Sequence, residues 1–339
     1  MKIIFVLIIS IFLSVSCSKD ETINNSDTVK SKTIVEKFGK LSTDGARIVD
    51  KEGNSVRLSG MSLFWSQWGG QYYNYETIKW LRDDWKCTII RVAMGIENGG
   101  YLENPEQELQ KAKIIIDACI KLGIYVVVDW HDQKAEEHVQ QAESFFNLIS
   151  SQYSKHPNII YEIYNEPLQV SWKNVIKPYS ERVIASIRKN DPENLIIVGT
   201  PNWSQDVDDV IDNQIDAKNI VYSFHFYSST HKQPIRDKAN TAIAAKVPLF
   251  VSEWGVSEAS GTGNIDLTET NLWTAFLEQN NLSWCNWSIT NKNETSAAIL
   301  PSISALSGWK ESELSRSGKM IRDYLIRINS PIFESLMAN

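Results

Sequence analysis

The chain has 339 residues, with 34 basic against 41 acidic side chains and a formal charge of -7. Hydrophobic residues make up 42% and charged ones 22%, near the soluble average, which argues against wholesale disorder, a collagen-like repeat and a polytopic membrane protein. An acidic balance without any basic run also argues against nucleic acid as a partner.

The first sixteen residues, MKIIFVLIISIFLSVS, carry one Lys and then an apolar run too short to span a bilayer comfortably, and residues 1–16 are predicted to be a secretory signal. Cys17 follows Leu13-Ser14-Val15-Ser16, which resembles a bacterial lipobox with its Leu one place early, so Cys17 is the expected lipidation site. Ser18-Lys19-Asp20-Glu21 resembles the acidic tag that sends some Gram-negative lipoproteins to the cell surface. The expectation is an exported cell-surface or outer-membrane lipoprotein, or else a secreted protein, that meets the membrane only through its lipid. Polar sequence without apolar period makes residues 17–34 a flexible tether. No further linker interrupts the chain, so residues 35–330 are expected to form one domain, with 331–339 as a tail. Cys87, Cys119 and Cys285 show no CxxC or zinc spacing and read as buried, inert thiols.

The stretch VEKFGKLSTDGARIVDKEGNSVRL predicts a β-hairpin, with turns at Asp44-Gly45 and Gly53-Asn54. Eight short apolar runs follow, starting at Val56, Thr88, Ile124, Ile159, Leu195, Ile220, Pro248 and Leu282. Segments of helical period separate most of them, such as YETIKWLRDDW and PEQELQKAKIIIDACIKLG; the acidic stretch from Asp206 to Ile215 carries the period only weakly. Strand then helix, eight times over, with strands too apolar to have one wet face, predicts an α/β fold: a (β/α)8 TIM barrel whose floor the hairpin closes.

Six of the eight runs end in residues able to do chemistry: Arg91; Asp129-Trp130-His131; Asn165-Glu166; His225 with Tyr227; Glu253-Trp254; and Asn286-Trp287. Barrel enzymes carry their catalytic groups at the C-terminal strand ends. Glu166 ends the fourth run and Glu253 the seventh, so they should face one another across the mouth. Two facing carboxylates suit glycosidic cleavage, one giving a proton to the leaving oxygen while the other attacks the anomeric carbon. Trp68, Trp203, Trp254 and Trp287 lie at or just after strand ends, where indole faces would stack on sugar rings.

From about Val35 to Leu325 the chain resembles glycoside hydrolase family 5, and within it the bacterial endo-β-1,4-glucanases. The matching stretches are IIRVAM, VVVDWH, YEIYNEP, IVGTPNWSQDVD, SFHFY, FVSEWG and LSWCNWSITNKNETSA. The resemblance implies that Glu166 is the general acid/base and Glu253 the nucleophile. Asn165 would bind the sugar 2-hydroxyl, Arg91 and Tyr227 would hold Glu253, and His131 and His225 would line the cleavage point. Trp287 would be the stacking floor, with Lys292 and Glu294 contacting sugars toward the non-reducing end.

Two positions depart from the pattern: Phe64 stands where relatives show a His, and Gly95 where a groove Tyr is common. Neither belongs to the proton-transfer pair; both bear on affinity and substrate preference. The substrate implied is a β-glucan, acted on by a monomer without metal or cofactor. A mannanase or mixed-linkage glucanase would use the same carboxylates, whereas a non-catalytic glycan-binding lipoprotein would be expected to have lost one of them. A metal hydrolase fits poorly, because the five His form no HExxH or i, i+4 ligand pair.

Overall fold

The computed structural model describes residues 32–337; the expected signal and the lipidation site Cys17 lie outside the described residues. Thr33 caps the first helix, α1 (Ile34–Phe38), through a reciprocal pair of bonds with Glu36. The hairpin follows as β1 (Ser42–Asp44) and β2 (Arg47–Val49), turning at Gly45 in the left-handed region, φ 58°. The expected hairpin segment therefore begins with a short helix.

Eight parallel strands then close a barrel: β3 (Ser59–Leu63), β4 (Ile89–Gly95), β5 (Tyr125–His131), β6 (Ile159–Glu162), β7 (Ile196–Val198), β8 (Ile220–Tyr227), β9 (Leu249–Gly255) and β10 (Trp284–Ile289). They pair in chain order, and β10 returns to β3. Each predicted run supplies one strand. The connecting helices are α2 (Ser66–Gly69), α3 (Tyr75–Asp83), α4 (Pro105–Leu122), α5 (Val139–Tyr153), α6 (Lys177–Arg188), α7 (Pro201–Ser204), α8 (Gln233–Ala244) and α9 (Leu267–Gln279), and α10 (Arg316–Met337) ends the fold. Before β8 the acidic stretch makes only a 3-10 turn, Val207–Asn213, in keeping with its weak helical period.

Hairpin and barrel meet at the N-terminal strand ends. The Tyr125 hydroxyl, at the start of β5, donates to Gly39 O, and Asn219 Oδ1, just before β8, accepts from Thr43 N at 3.3 Å. Asn329 of α10 is buried at the same end and donates to Ser59 O and Lys86 O. This floor corrects the expected C-terminal boundary. α10 runs on past Pro331 to Met337 and buries Leu336, because its apolar face still has barrel to cover. Cys87, Cys119 and Cys285 are free and buried. Among the described residues no helix is long and apolar enough to cross a membrane.

Candidate active site

Side chains alternate across a strand, so one residue in two points into the barrel. Arg91 does so from the middle of β4 and meets four close acceptors, with Ser62 Oγ a fifth at 3.5 Å from Nη1. Its Nε donates to Glu162 Oε2 at 2.7 Å, Nη1 to Glu253 Oε2 at 2.9 Å and Nη2 to Asn165 Oδ1 at 2.6 Å, while Nη2 also lies 3.0 Å from Asp129 Oδ2. One fully buried guanidinium thus serves three carboxylates. The Tyr227 hydroxyl donates to the other Glu253 oxygen at 2.7 Å. Both Glu253 oxygens are held, and only 6% of its side chain is exposed.

Glu166 sits on the loop after β6, with its backbone N–H donating to Asp132 O at 3.2 Å. Its Oε1 lies 3.1 Å from His225 Nδ1, and its Oε2 accepts from Gln133 Nε2 at 3.2 Å. At 15% exposed, it is more open to the cleft than Glu253. A carboxylate oxygen of Glu166, one of Glu253 and a ring nitrogen of His225 all lie within 4.8 Å of one another. Three such atoms are close enough for a metal ion, yet they are committed to each other and to Arg91, Tyr227, Gln133 and Ser252, so we read the group as an acid–base site.

The electrostatics of this cluster follow from burial and a shortage of cations. Burial pushes Glu166 up, but the hydrogen bond and charge of His225 outweigh it and bring Glu166 below its ordinary value. The same contact acts on His225 from the other side: burial disfavours its cation, yet Glu162, Glu166 and Glu253 raise it to about 9. Burial pushes Asp129 well above the usual carboxylate range despite Arg91, with Glu162 and Glu253 adding to the rise. His131 goes the other way, held down to about 3 by burial and by the Arg91 charge, and so stays neutral. Its Nδ1 is 2.6 Å from Asp129 Oδ2.

Around the carboxylates the rings form a floor and a wall. His131 and Trp287 are parallel within 3°, with centroids 5.3 Å apart, and Trp65 stands at 90° to His131 at 4.1 Å. Trp68, 55% exposed, extends that wall, packing at 5.3 Å from Trp65. Lys292 lies over the Phe64 ring and pairs with Glu294 at 2.7 Å. These residues line a cavity of 200 Å³ on one side of the carboxylates. A second cavity of 470 Å³, on the other side, is lined by Gln133, Asn202, Trp203, Gln205 and His231. Glu166 and Tyr227 border both. Trp203, 36% exposed, is set by a left-handed run, Asn202 to Ser204, whose backbone bonds to Pro167 O and Leu168 O. The turn is thereby tied to the loop that carries Glu166.

Of the expected site residues, the structure places Arg91, His131, Asn165, Glu166, His225, Tyr227, Glu253 and Trp287 together, with Trp68, Trp203, Lys292 and Glu294 on the cleft walls. Trp254 is a correction. It follows an inward-facing Glu253 in β9, so the strand period turns it outward, fully buried against Phe226 and Trp284 between barrel and helices. Gly95 has a local reason: a Cβ there would lie 1.8 Å from Gln67 Oε1, so Gln67 occupies the space. Sequence reasoning missed Trp65, Gln133 and Glu162, and named Asp129 at its strand end without giving it a role. Both carboxylates carried a signal, lying inside an otherwise apolar strand. His138 is half-buried with Nδ1 2.7 Å from Asp132 Oδ2, bracing the loop that holds Gln133.

Comparison with known proteins agrees along most of the chain. The family model for cellulases of glycosyl hydrolase family 5 matches residues 49–293. Endoglucanase A of Evansella cellulosilytica is 45% identical over 306 residues, covering 89% of this chain and 62% of that protein. Endoglucanase N of Pectobacterium atrosepticum is 44% identical over 299 residues, covering 87% and 67%. The chain thus spans about two thirds of these relatives or slightly less. A solved structure from Cytophaga hutchinsonii is 51% identical with a TM-score of 0.89, covering 90% of this chain and all of that one. The catalytic domain of a Thermobifida fusca endoglucanase is 32% identical with a TM-score of 0.84, covering 87% and 99%.

Proposed function

The chain belongs to glycosyl hydrolase family 5, and from that premise we propose that it is a retaining endo-β-1,4-glucanase acting on cellulose and related β-glucans by double displacement. The observation that carries the reading is the spacing of Glu166 and Glu253, whose oxygens come within 4.8 Å, with Glu253 pinned by two donors. Inverting hydrolysis needs about 6.5 Å or more between the carboxyl groups to admit a water, whereas a nucleophile must sit closer, at about 5 to 5.5 Å.

In the first step Glu253 attacks the anomeric carbon while a proton passes from Glu166 to the leaving oxygen. In the second, Glu166 takes a proton from the water that breaks the glycosyl-enzyme. Asn165 gives its amide oxygen to Arg91, which leaves its NH2 group to donate to the sugar 2-hydroxyl. Trp287, Trp68, Lys292 and Glu294 bind the glycan on one side of the cut and Trp203 on the other. The relatives named endoglucanases favour mid-chain cleavage, and so does a cleft continuing on both sides of the carboxylates.

The deciding assay is reducing-end release from carboxymethyl cellulose, barley glucan, mannan and xylan in parallel, with viscosity followed on the first. Viscosity of the cellulose derivative should fall faster than reducing ends appear. Release of cellobiose alone with viscosity unchanged rejects endo-cleavage, and mannan as the preferred substrate rejects the glucanase reading. We also propose export of a monomer held to the membrane by a lipid on Cys17. Cys17→Ala should then free activity from the membrane fraction or block processing; activity already soluble in the parent strain would reject the anchor.

A further inference from the structure

We propose that Glu162, a carboxylate buried beneath the cleft and given no part in the reaction above, is the counter-ion that keeps a proton on the His225–Glu166 pair and so sets the alkaline limit of activity. The inference rests on the acid/base role of Glu166.

Glu162 ends β6, fully buried. Its Oε2 accepts from Arg91 Nε, but its Oε1 has no hydrogen-bond partner. That orphan oxygen faces His225, with Nε2 3.8 Å away, which is an ion-pair distance rather than a hydrogen bond. The ring is oriented independently, because Nε2 is 2.9 Å from Ser252 Oγ and Nδ1 is 3.1 Å from Glu166 Oε1. An unpaired buried oxygen is costly unless its charge is used, and the nearest cation it can stabilise besides Arg91 is an imidazolium at His225.

The groups acting on His225 come from every side of the barrel. Glu162 (β6), Glu166 (the loop after β6) and Glu253 (β9) favour its charged form, and Asp129 (β5) adds a further carboxyl. Arg91 (β4) opposes it, and His231, held down to about 4, is neutral. Among these Glu162 is special because it never meets substrate and keeps its charge throughout the cycle: burial opposes that charge, yet Arg91 and His225 hold it down to about 2.

His225 and Glu166 share one proton, and the apparent titration belongs to the pair. From Glu166 the proton passes to the leaving oxygen as the glycosidic bond breaks. The attacking water later returns one, so the count is restored each turnover. Activity is lost at high pH when the pair loses this proton. A charge 3.8 Å from the ring, at an effective dielectric of about 20 to 60, moves that loss by roughly one to three pH units.

The test compares the full chain with Glu162→Gln and Glu162→Asp. Gln keeps the oxygen that accepts from Arg91 but removes the charge, and Asp keeps the charge. The alkaline limb of kcat/KM on barley glucan should fall by roughly one to three units in E162Q and stay within about half a unit of the parent in E162D. An unmoved limb in active E162Q, or equal shifts in both, overturns the proposal. Histidine NMR on the unmodified chain gives a second readout that needs neither variant to fold. His225 should titrate well above the ordinary value of about 6.5; titration at or below it also overturns the proposal. A parent that cleaves no glucan would fail the functional reading, while the same NMR on the variants would still decide the coupling: the His225 titration should fall in E162Q and hold in E162D, and an unmoved titration in folded E162Q overturns it.

Discussion

Replacing each cleft carboxylate by alanine should separate the two steps of the reaction. Glu166→Ala removes the group beside His225 and Gln133 and leaves a carboxyl-sized space open to the cleft. General acid catalysis is worth roughly a hundred- to ten-thousandfold, so the barrier on barley glucan should rise by about 3 to 5 kcal/mol. An aryl cellobioside with a dinitrophenolate leaving group needs no proton. With it the variant should form the glycosyl-enzyme, stall there, and be restarted by azide to give the β-glycosyl azide. Glu253→Ala should be inactive on both substrates, and azide attacking directly should give the α-product.

Stability should not follow activity. Arg91 keeps Asp129 at 3.0 Å and Glu162 at 2.7 Å, so losing the third carboxylate relieves repulsion in a cluster short of cations. The urea midpoint of Glu253→Ala should therefore equal or exceed that of the parent. The assays are burst kinetics, NMR of the azide products and urea melts. Reversed product configurations would exchange the two roles. A Glu253→Ala variant several kcal/mol less stable would refute the charge argument.

Trp254→Ala should cost about 3 to 5 kcal/mol in urea unfolding, the usual cost of emptying a buried aromatic site, while leaving KM for β-glucan near the parent value; a raised KM at unchanged stability would return Trp254 to the cleft. Trp65→Ala removes the wall at right angles to the His131 and Trp287 rings, and a stacking loss of about 1 kcal/mol should raise KM for cello-oligosaccharides about fivefold with kcat nearly unchanged. Stability should peak near pH 6.5. His131 and His231 are held down to about 3 and 4 when folded, so their contribution is lost as pH falls below 6.5 through those values; His225 is raised to about 9, so its contribution is complete below 6.5 and lost as pH rises through 9. A urea midpoint changing in one direction only from pH 4 to 9 would contradict this pairing.

The barrel was legible because parallel strands covered on both faces must be apolar throughout, and six of the eight runs broke off in polar residues at the mouth. Glu166 and Glu253 could be read for the same reason. Trp254 could not be separated from its neighbour without the strand's facing, because adjacency to Glu253 in sequence means the opposite side of the sheet. The end of α10 was obscured by Pro331, ordinarily a helix boundary, where burial of Leu336 decides instead. Gln133 and Trp65 lay on loops, where no period marks which side chain faces the cleft. The Asp132–His138 pair spans six positions across a turn and the start of α5, a contact that only the folded loop creates.

Gln67 packed on Gly95 makes the two positions epistatic. At Gly60 an added Cβ would meet the backbone oxygen of Ile89 at 1.8 Å, an obstacle that cannot yield without moving a strand. At Gly95 the same distance is to a side-chain amide, which a second substitution can remove. Intolerance at 60 is therefore absolute and at 95 conditional. A single-site scan should score 60 as the stricter position, and a library varying 67 and 95 together should widen the set of side chains accepted at 95.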